Sequence, residues 1–244
     1  NSMLKIKNIK KSFGGVKAIK GSDFVIKKNK ITALIGPNGA GKTTLFDIIA
    51  GLTRPDTGQI IFEEKDITKK EPHDIANLGI SRTFQQVRLF KNLTILDHLH
   101  MVEDNEDVKL FKNIFKFKKG NAKKYEKVLQ EFGIERGVDT YISELSYGQR
   151  KLLQIAMALN KQHKLLMLDE PVAGVNKVIQ DDIENLLLSL KNKNETILLI
   201  DHDMEFVRKL ADHVIALDAG VVICQGTPNE VLNNKKVLEA YLGE

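Results

Sequence analysis

The sequence predicts an α/β protein with a parallel sheet covered by helices on both faces, an N-terminal antiparallel β portion and an inserted α-helical subdomain. Continuous apolar runs at 30–35, 164–169 and 196–200 alternate with helical patterns, which is typical of parallel strands buried on both faces. Residues 3–35 alternate like short strands joined by turns. Residues 92–161 are helical in pattern and strongly charged, which indicates an insertion between two α/β portions.

The N-terminal elements follow from alternation and from glycine. Apolar residues begin the alternation at 4–9, Phe13-Gly14-Gly15 breaks it, and 22–26 resumes it. A helix, a hairpin, a short helix and a strand are then predicted in turn, at 45–50, 59–66, 71–77 and 79–84.

The C-terminal elements begin with an amphipathic helix at 178–190 and end with a capped helix. The runs 214–217 and 221–223 predict a hairpin across a glycine turn. Thr227, Pro228 and Glu230 supply an N-cap, a proline at N1 and a glutamate at N3. We therefore expect one domain over 3–244, with a core of 3–91 and 162–244 and a helical subdomain of 92–161.

Composition narrows the class of partners. The chain has 244 residues and a net charge of +5, from 37 Lys and Arg against 32 Asp and Glu. With no zinc-ligand spacing and no RNA-binding aromatic signature, we expect no nucleic-acid partner. No run approaches the roughly 18 apolar residues of a membrane span, and no signal peptide opens the chain. Cys224, the single cysteine, excludes an internal disulfide and fits a reducing cytosol; Asn1 and Ser2 look like an expression-tag remnant.

Residues 109–127 form a basic run, with eight lysines and one acid, Glu126. A solvated helical face is one interpretation of such a run. A contact with lipid headgroups or with an acidic partner surface is the other.

A glycine-rich segment, here called the phosphate loop, fits G-x-x-x-x-G-K-[ST] between a buried strand and a helix. Glycines let backbone N–H groups turn inward around a phosphate, and the helix start adds unpaired donors and its dipole. We expect Lys42 to reach the β- and γ-phosphates and the Thr43 hydroxyl to hold Mg²⁺. The segment is Gly36-Pro37-Asn38-Gly39-Ala40-Gly41-Lys42-Thr43-Thr44.

Two adjacent carboxylates end the apolar strand at 165–169. Neighbouring acids beside a dication and a triphosphate can take distinct roles, one as a ligand and one as a general base. We expect Asp169 to hold Mg²⁺ through its water shell and Glu170 to face the attacking water. A charged turn that simply ends a strand is the alternative interpretation.

Residues 145–149, here called the signature start, open a helix as Leu145-Ser146-Tyr147-Gly148-Gln149. Ser146 and Gln149 fit an S-x-x-Q capping box. A well-capped helix explains this pattern by itself, and a second anion site at the helix start is the functional alternative.

Taken together, the phosphate loop, the signature start and the strand ending in carboxylates resemble the ATP-binding cassette (ABC) ATPase family over essentially the whole chain. The resemblance implies a RecA-like P-loop NTPase fold and hydrolysis of ATP with Mg²⁺. It implies a second cassette, identical or not, across which Ser146, Gly148 and Gln149 contact ATP held by the partner. Tyr147 stands where many members have glycine, a change we expect to be tolerated because only a backbone N–H is needed there.

The resemblance also implies roles for isolated residues. His202 matches the switch histidine that contacts the γ-phosphate. Gln85 matches the Q-loop glutamine, which reaches Mg²⁺ and the attacking water, although Gln86 leaves the register open. Phe13 matches an aromatic platform under adenine, with a core phenylalanine as the alternative. Asn176 replaces the more usual aspartate of the D-loop.

Within the family, residues 82–90, 93–95, 145–150 and 240–244 look like the ATPases of branched-chain amino acid importers. The related lipopolysaccharide-export ATPases are the alternative. Either implies transmembrane permease subunits and a place on the cytoplasmic face of the membrane; the importer also implies, indirectly, a periplasmic or surface substrate-binding protein.

Three apolar residues after Gln85, namely Val87, Leu89 and Phe90, are candidates for docking a permease helix. Internal packing of these residues is the alternative. Two rival functions are a soluble cassette ATPase acting on ribosomes or DNA and a P-loop kinase whose helical insert is a lid. The first usually has two cassettes or a long coiled coil, and the second needs neither signature nor switch histidine.

Overall fold

The computed structural model describes residues 2–83, 89–103, 122–160 and 163–242. Within these ranges the strands are β1 (Ser2–Phe13), β2 (Val16–Lys27), β3 (Ile31–Ile35), β4 (Thr57–Phe62), β5 (Lys65–Asp66), β6 (Ile80–Arg82), β7 (Leu165–Asp169), β8 (Ile197–Ile200), β9 (His213–Asp218) and β10 (Val221–Gly226). The helices are α1 (Lys42–Ile49), α2 (Pro72–Asn77), α3 (Ile95–Glu103), α4 (Ala122–Glu131), α5 (Tyr147–Asn160), α6 (Lys177–Asn192), α7 (Met204–Leu210), α8 (Pro228–Leu232) and α9 (Lys235–Leu242), with a 3₁₀ turn at Ile142–Glu144.

The larger sheet has the order β10-β9-β3-β8-β7-β6. Strands β9, β3, β8, β7 and β6 pair in parallel, and β10 pairs antiparallel with β9 at one edge. The parallel core predicted from the apolar runs is therefore confirmed. Because parallel strands share one direction, the segments that follow β3, β7 and β8 all leave the sheet at the carboxyl ends of its strands, here called the carboxyl edge.

The larger sheet is buried on both faces, as its continuous apolar strands predict. In β7, Leu166 and Leu168 belong to a core cluster with helices α3 to α9, whereas Leu165 and Met167 belong to a second cluster. The second cluster contains α1 and the inner residues of the smaller sheet. Burial of alternate residues on opposite faces holds each strand end in place relative to the helices that flank it.

The smaller sheet is antiparallel, in the order β2-β1-β4-β5. Its first two strands are twelve residues each, longer than the short strands expected from the sequence. The β1–β2 register is irregular at several places, one of them between Ile6 and Ile9, where Asn8 has a φ of 45°. Such bulges let pairing continue past a break in the pattern.

The chain between β6 and β7 forms helices α3, α4 and α5 and the 3₁₀ turn, together with an isolated bridge from Thr94 to Tyr141. This confirms an inserted helical subdomain, while its exact bounds at 92 and 161 stay a prediction. Of the basic run 109–127, the last residues lie in α4, and 109–121 lie outside the described residues. Among the helices described, none combines the length and hydrophobicity that crossing a bilayer requires.

The C-terminal elements confirm the predicted hairpin and capped helix. The turn between β9 and β10 contains Ala219 and Gly220, with φ values of 44° and 80°. Thr227 and Glu230 form the capping box, because the Thr227 hydroxyl accepts from the Glu230 N–H and the Glu230 carboxylate accepts from the Thr227 N–H.

Candidate functional site: a nucleotide pocket at the carboxyl edge of the parallel sheet

The phosphate loop leaves β3 at the carboxyl edge of the sheet and ends in α1. Gly36 has no room for a side chain, since a Cβ there would lie 2.0 Å from the Leu217 carbonyl oxygen. Gly41, the N-cap of α1, has a φ of 102°, which L side chains rarely adopt. Close packing and positive φ values at these two positions therefore set the course of the loop.

Lys42 is buried, and its ammonium lies against the backbone of the phosphate loop. Nζ donates to the carbonyl oxygens of Gly36 at 2.6 Å and Pro37 at 2.8 Å. Asn38 and Thr43 are exposed at the same loop. The arrangement places a cation, exposed loop residues and the start of α1 close together, which is the chemistry that a polyphosphate requires. The predicted Lys42 and Thr43 thus belong to one site, with Gly39, Ala40 and Thr44 in the same loop and helix start.

Tyr241, on α9, contacts the phosphate loop from the C-terminal end of the chain. Its hydroxyl accepts a hydrogen bond from the Gly36 N–H at 2.6 Å. Sequence reasoning used the segment 240–244 only as a family resemblance and assigned Tyr241 no role. The contact spans 205 positions of sequence, so no local pattern signals it.

Asp169 is the last residue of β7, and its buried carboxylate has a hydrogen-bond partner at one of its two oxygens. Oδ2 accepts from Arg82 Nη2 at 3.1 Å, and Oδ1 has no hydrogen-bond partner among the residues that the structure describes. Arg82 Nη1 also donates to Asp47 of α1 at 2.6 Å, so the guanidinium connects β7 with the helix of the phosphate loop. Burial raises the pKa of Asp169, and Arg82 opposes that rise. Arg82 was not among the predicted site residues.

Glu170 and His202 meet across the ends of β7 and β8. His202 Nε2 lies 2.8 Å from Glu170 Oε1. Glu170 has a φ of 49°, and its N–H donates to the Ile200 carbonyl at 2.9 Å. Two residues predicted separately, one from a carboxylate pair and one from a family resemblance, are therefore brought into direct contact.

A tight turn fixes the backbone of His202. Asp201 Oδ1 accepts from the N–H groups of His202 at 2.8 Å and Asp203 at 3.0 Å. Asp203 in turn caps α7 by accepting from the Phe206 N–H. Burial raises the pKa of Asp201, and these backbone N–H groups oppose the rise. Sequence reasoning missed Asp201, although the run Asp-His-Asp after a buried strand could have indicated such a turn.

The signature start is capped as predicted. The Gln149 N–H donates to Ser146 Oγ at 3.1 Å, and the Ser146 N–H donates to Gln149 Oε1 at 3.0 Å. Gly148 packs against α6, and a Cβ there would lie 2.7 Å from Ile179 Cγ1. Ser146 and Tyr147 are exposed. The glycine is thus required by helix packing, whatever it does for a ligand.

Lys151 connects the signature helix α5 to the carboxylate pair. It is buried, and Nζ donates to the Glu170 carbonyl oxygen at 2.9 Å. Burial lowers the pKa of Lys151, and the negative charges of Glu170, Asp201 and Asp169 oppose that shift.

Three predictions that came from the family resemblance remain: the aromatic platform, the Q-loop glutamine and the D-loop asparagine. Phe13 is 49% exposed, so the alternative of a core phenylalanine is wrong. Gln85 and Gln86 lie outside the described residues, and so does Val87. Asn176 caps its own helix, since its side chain accepts from the Ile179 N–H at 3.0 Å.

Phe90 and Leu89, from the predicted docking segment, differ in environment. Phe90 is 62% exposed, whereas Leu89 is half-buried and packs against the core. Leu89 also lines a largely apolar cavity of about 500 Å³ between the end of α1, α2, β6 and α5. Internal packing is therefore confirmed for Leu89, whereas docking of a permease helix at this segment stays a prediction.

The donor set of this pocket fits a magnesium nucleotide. Hard dications prefer oxygen ligands, and the unpaired Oδ1 of Asp169 and the exposed Thr43 supply a carboxylate and a hydroxyl. The loop and Lys42 supply donors for phosphate oxygens.

Comparison with known proteins identifies a group of similar chains. The family model "ABC transporter" matches residues 19–173, and "Branched-chain amino acid ATP-binding cassette transporter" matches 221–244. The probable branched-chain amino acid transport ATP-binding protein LivG of Archaeoglobus fulgidus is 37% identical, over 99% of this chain and 95% of that protein. Its counterpart from Methanocaldococcus jannaschii is 38% identical, over 99% and 98%. A crystal structure of the ADP conformation of an ABC transporter cassette superposes with a TM-score of 0.88 at 36% identity, over all of both chains.

Proposed function

This chain belongs to the ATP-binding subunits of ABC transporters, in the branched-chain amino acid group, and from that premise we propose that it hydrolyses ATP to drive a branched-chain amino acid importer. The two LivG relatives, similar over almost their whole length, support this substrate class. In the proposed complex it is one of two cassettes that act on separate permease subunits at the cytoplasmic face of the cell membrane. A periplasmic or surface binding protein delivers the substrate to those permeases.

The contact between Glu170 and His202 is the observation that carries the proposed chemistry. The phosphate loop follows β3, His202 follows β8 and Glu170 follows β7, and these three strands are neighbours in the sheet. Glu170 is therefore a carboxylate beside a polyphosphate pocket, paired to an imidazole at 2.8 Å. We assign Glu170 the role of general base toward the attacking water, and His202 that of a donor to the γ-phosphate.

The pocket has further groups for orienting the nucleotide. Lys42 and the backbone N–H groups of the phosphate loop after Pro37 bind the phosphate oxygens, and the exposed ring of Phe13 stacks under adenine. Thr43, Asp169 and Gln85 hold Mg²⁺, which when bound neutralises the charge on the phosphates.

Closure of two cassettes completes the proposed site. Ser146 is exposed at a capped helix start whose N-terminal N–H groups suit an anion. In the proposed dimer, Ser146, Gly148 and Gln149 of one cassette contact ATP bound to the phosphate loop of the other. Hydrolysis is then coupled to a rigid-body motion of the two subunits.

The apolar cavity beside Leu89 is the proposed docking site for a permease helix. It lies directly after β6, where the segment containing Gln85 begins. Leu52, which lines it, is 49% exposed. An amphipathic helix of the permease covers such a surface by inserting its apolar side chains.

Glu170→Gln tests the chemistry. The amide keeps the shape of the side chain but cannot act as a base, so ATP binding should persist while turnover falls about 100-fold or more. Glu239→Gln, an exposed change on α9, serves as the control and should leave turnover unchanged. Normal hydrolysis by Glu170→Gln would show that the assigned base is wrong.

Reconstitution with the permeases tests the transport assignment. Vesicles containing the whole complex should take up leucine, isoleucine or valine in an ATP-dependent way, and lysine should not substitute. Leu52→Glu should weaken assembly with the permeases because it places a charge in the cavity, whereas Val25→Glu, on the outer face of β2, should not. Assembly that tolerates Leu52→Glu, or uptake of lysine alone, contradicts the corresponding part of the proposal.

A further inference from the structure

A buried lysine lies between the signature start and the proposed base. Lys151 is 4% exposed, one turn along α5 from Gly148. A buried ammonium is costly unless it is hydrogen-bonded and near negative charge. Nζ donates to the Glu170 carbonyl oxygen at 2.9 Å and lies 5.8 Å from the centre of the Tyr147 ring.

The residue that accepts this hydrogen bond has an unusual backbone. Glu170 has a φ of 49°, in the left-handed region that a residue with a Cβ seldom adopts. Such a conformation persists only where its surroundings hold it. The Glu170 N–H donates to Ile200, and the Glu170 carbonyl accepts from both the Ala173 N–H and Lys151.

The direction of the Glu170 side chain follows from that backbone. In this conformation Oε1 lies 2.8 Å from His202 Nε2, so a rotation of the Glu170 peptide moves the carboxylate away from the imidazole. Lys151 contacts the Glu170 backbone through its side chain, whereas the Ile200 and Ala173 contacts are made by backbone groups.

We propose that Lys151 is a positioning residue, which holds the Glu170 backbone so that the carboxylate faces His202 and which links this base to the signature helix. In the proposed dimer, the signature start on the same helix contacts the ATP of the second cassette. A displacement of α5 when it engages that ATP is therefore transmitted, through one hydrogen bond, to the base of the chain's own site. The inference rests on the proposed role of Glu170 as general base.

The link includes the tyrosine that departs from the common signature. The ring of Tyr147 lies beside Gly174, where a Cβ would lie 3.5 Å from Tyr147 Cε1. Tyr147 thus contacts the segment that follows Glu170 and also lies beside the Lys151 ammonium. The tyrosine side chain therefore packs within this group of residues.

Lys151→Met tests the proposal in the full chain, because it keeps the apolar stem and removes the ammonium. ATP turnover should fall about 10-fold or more, as expected for a misplaced catalytic group, while the Kd for ATP changes less than about 3-fold. Lys151→Arg, which keeps a charged donor, should restore much of the rate. In a Glu170→Gln background Lys151→Met should cause no further loss, since it acts through the carboxylate.

A structural readout separates positioning from general destabilisation. Lys191→Met is the matched control, because Lys191 Nζ also donates to a backbone carbonyl, that of Leu210, at 2.9 Å but away from the site. In nucleotide-free protein labelled at histidine, the imidazole NMR signals of His202 should shift in Lys151→Met and not in Lys191→Met. Lys151→Gln replaces Lys151→Met if the latter does not fold.

Two results would overturn the proposal: unchanged His202 signals in Lys151→Met, or an equal loss of turnover in the wild-type and Glu170→Gln backgrounds. Failure of the proposed function looks different. If Glu170→Gln alone hydrolyses ATP normally, the base is wrongly assigned, yet the His202 signals still report whether Lys151 positions Glu170.

Discussion

Arg82 forms ion pairs with two carboxylates, and its substitution should lower the free energy of unfolding more than most single changes in the core. Its side chain is 8% exposed and contacts Asp169, which is 1% exposed, and Asp47, which is 33% exposed. Arg82→Met keeps most of the apolar stem and removes both ion pairs. Asp169 is then a buried carboxylate without its cation.

The expected magnitude follows from the burial of each partner. Removing one member of a buried ion pair costs about 3–5 kcal/mol, whereas the more exposed pair with Asp47 contributes about 1 kcal/mol or less. Because burial already raises the pKa of Asp169, proton uptake relieves part of the cost. We therefore expect Arg82→Met to lower the free energy of unfolding by about 3 kcal/mol, the lower end of that range. This corresponds to a fall in Tm of about 6–12 °C for a chain of this size.

Denaturant unfolding of the nucleotide-free chain measures this loss. Arg54→Met is the matched control, because Arg54 and Glu71 form an exposed pair that should contribute less than about 1 kcal/mol. Repeating Arg82→Met in an Asp169→Asn background isolates the buried pair, and the cost should drop to about 1 kcal/mol there.

Two results would refute this reasoning. One is a loss below about 1 kcal/mol for Arg82→Met, which would mean that Asp169 tolerates burial without a cation. The other is an undiminished loss in the Asp169→Asn background, which would assign the cost to packing on Phe46, whose ring centre lies 5.5 Å from the Arg82 guanidinium.

Three further predictions concern His98, Gly148 and Tyr241. Burial lowers the pKa of His98 from its ordinary value of 6.5, so the unfolded chain takes up its proton first and the free energy of unfolding should fall as pH drops below about 6.5. Urea unfolding from pH 7.5 to 5 should show that this free energy depends less steeply on pH in His98→Gln, and the same dependence in both proteins would contradict the prediction. Gly148→Ala should cost about 1–3 kcal/mol by overpacking against Ile179, and thermal unfolding should show that Ile179→Ala recovers part of it; additive losses would disagree. Tyr241→Phe should speed amide exchange at Gly36 about 2- to 10-fold by removing a hydrogen bond, and unchanged exchange would show that the contact does not order the loop.

Local rules were sufficient where the determining contacts lie within a few residues. Gly39 of the phosphate loop, with its φ of 77°, depends on backbone conformation, and the Ser146–Gln149 and Thr227–Glu230 boxes depend on hydrogen bonds over three residues. The parallel sheet could also be predicted, because its strands are buried on both faces and are therefore continuously apolar. The alternation in β1 and β2 was less informative, since bulges shift the pattern without ending the strand.

By itself, the sequence determined the class of fold, the phosphate loop, the acidic strand end and the family to which the chain belongs. Only the tertiary structure decided that Glu170 faces His202, that Arg82 pairs with Asp169, that Tyr241 bonds to Gly36 and that Lys151 holds Glu170. The physical reason is separation along the chain. These contacts join residues 19 to 205 positions apart, so they exist only when strand order and helix packing bring the ends of β3, β7 and β8 together, and no local periodicity records them.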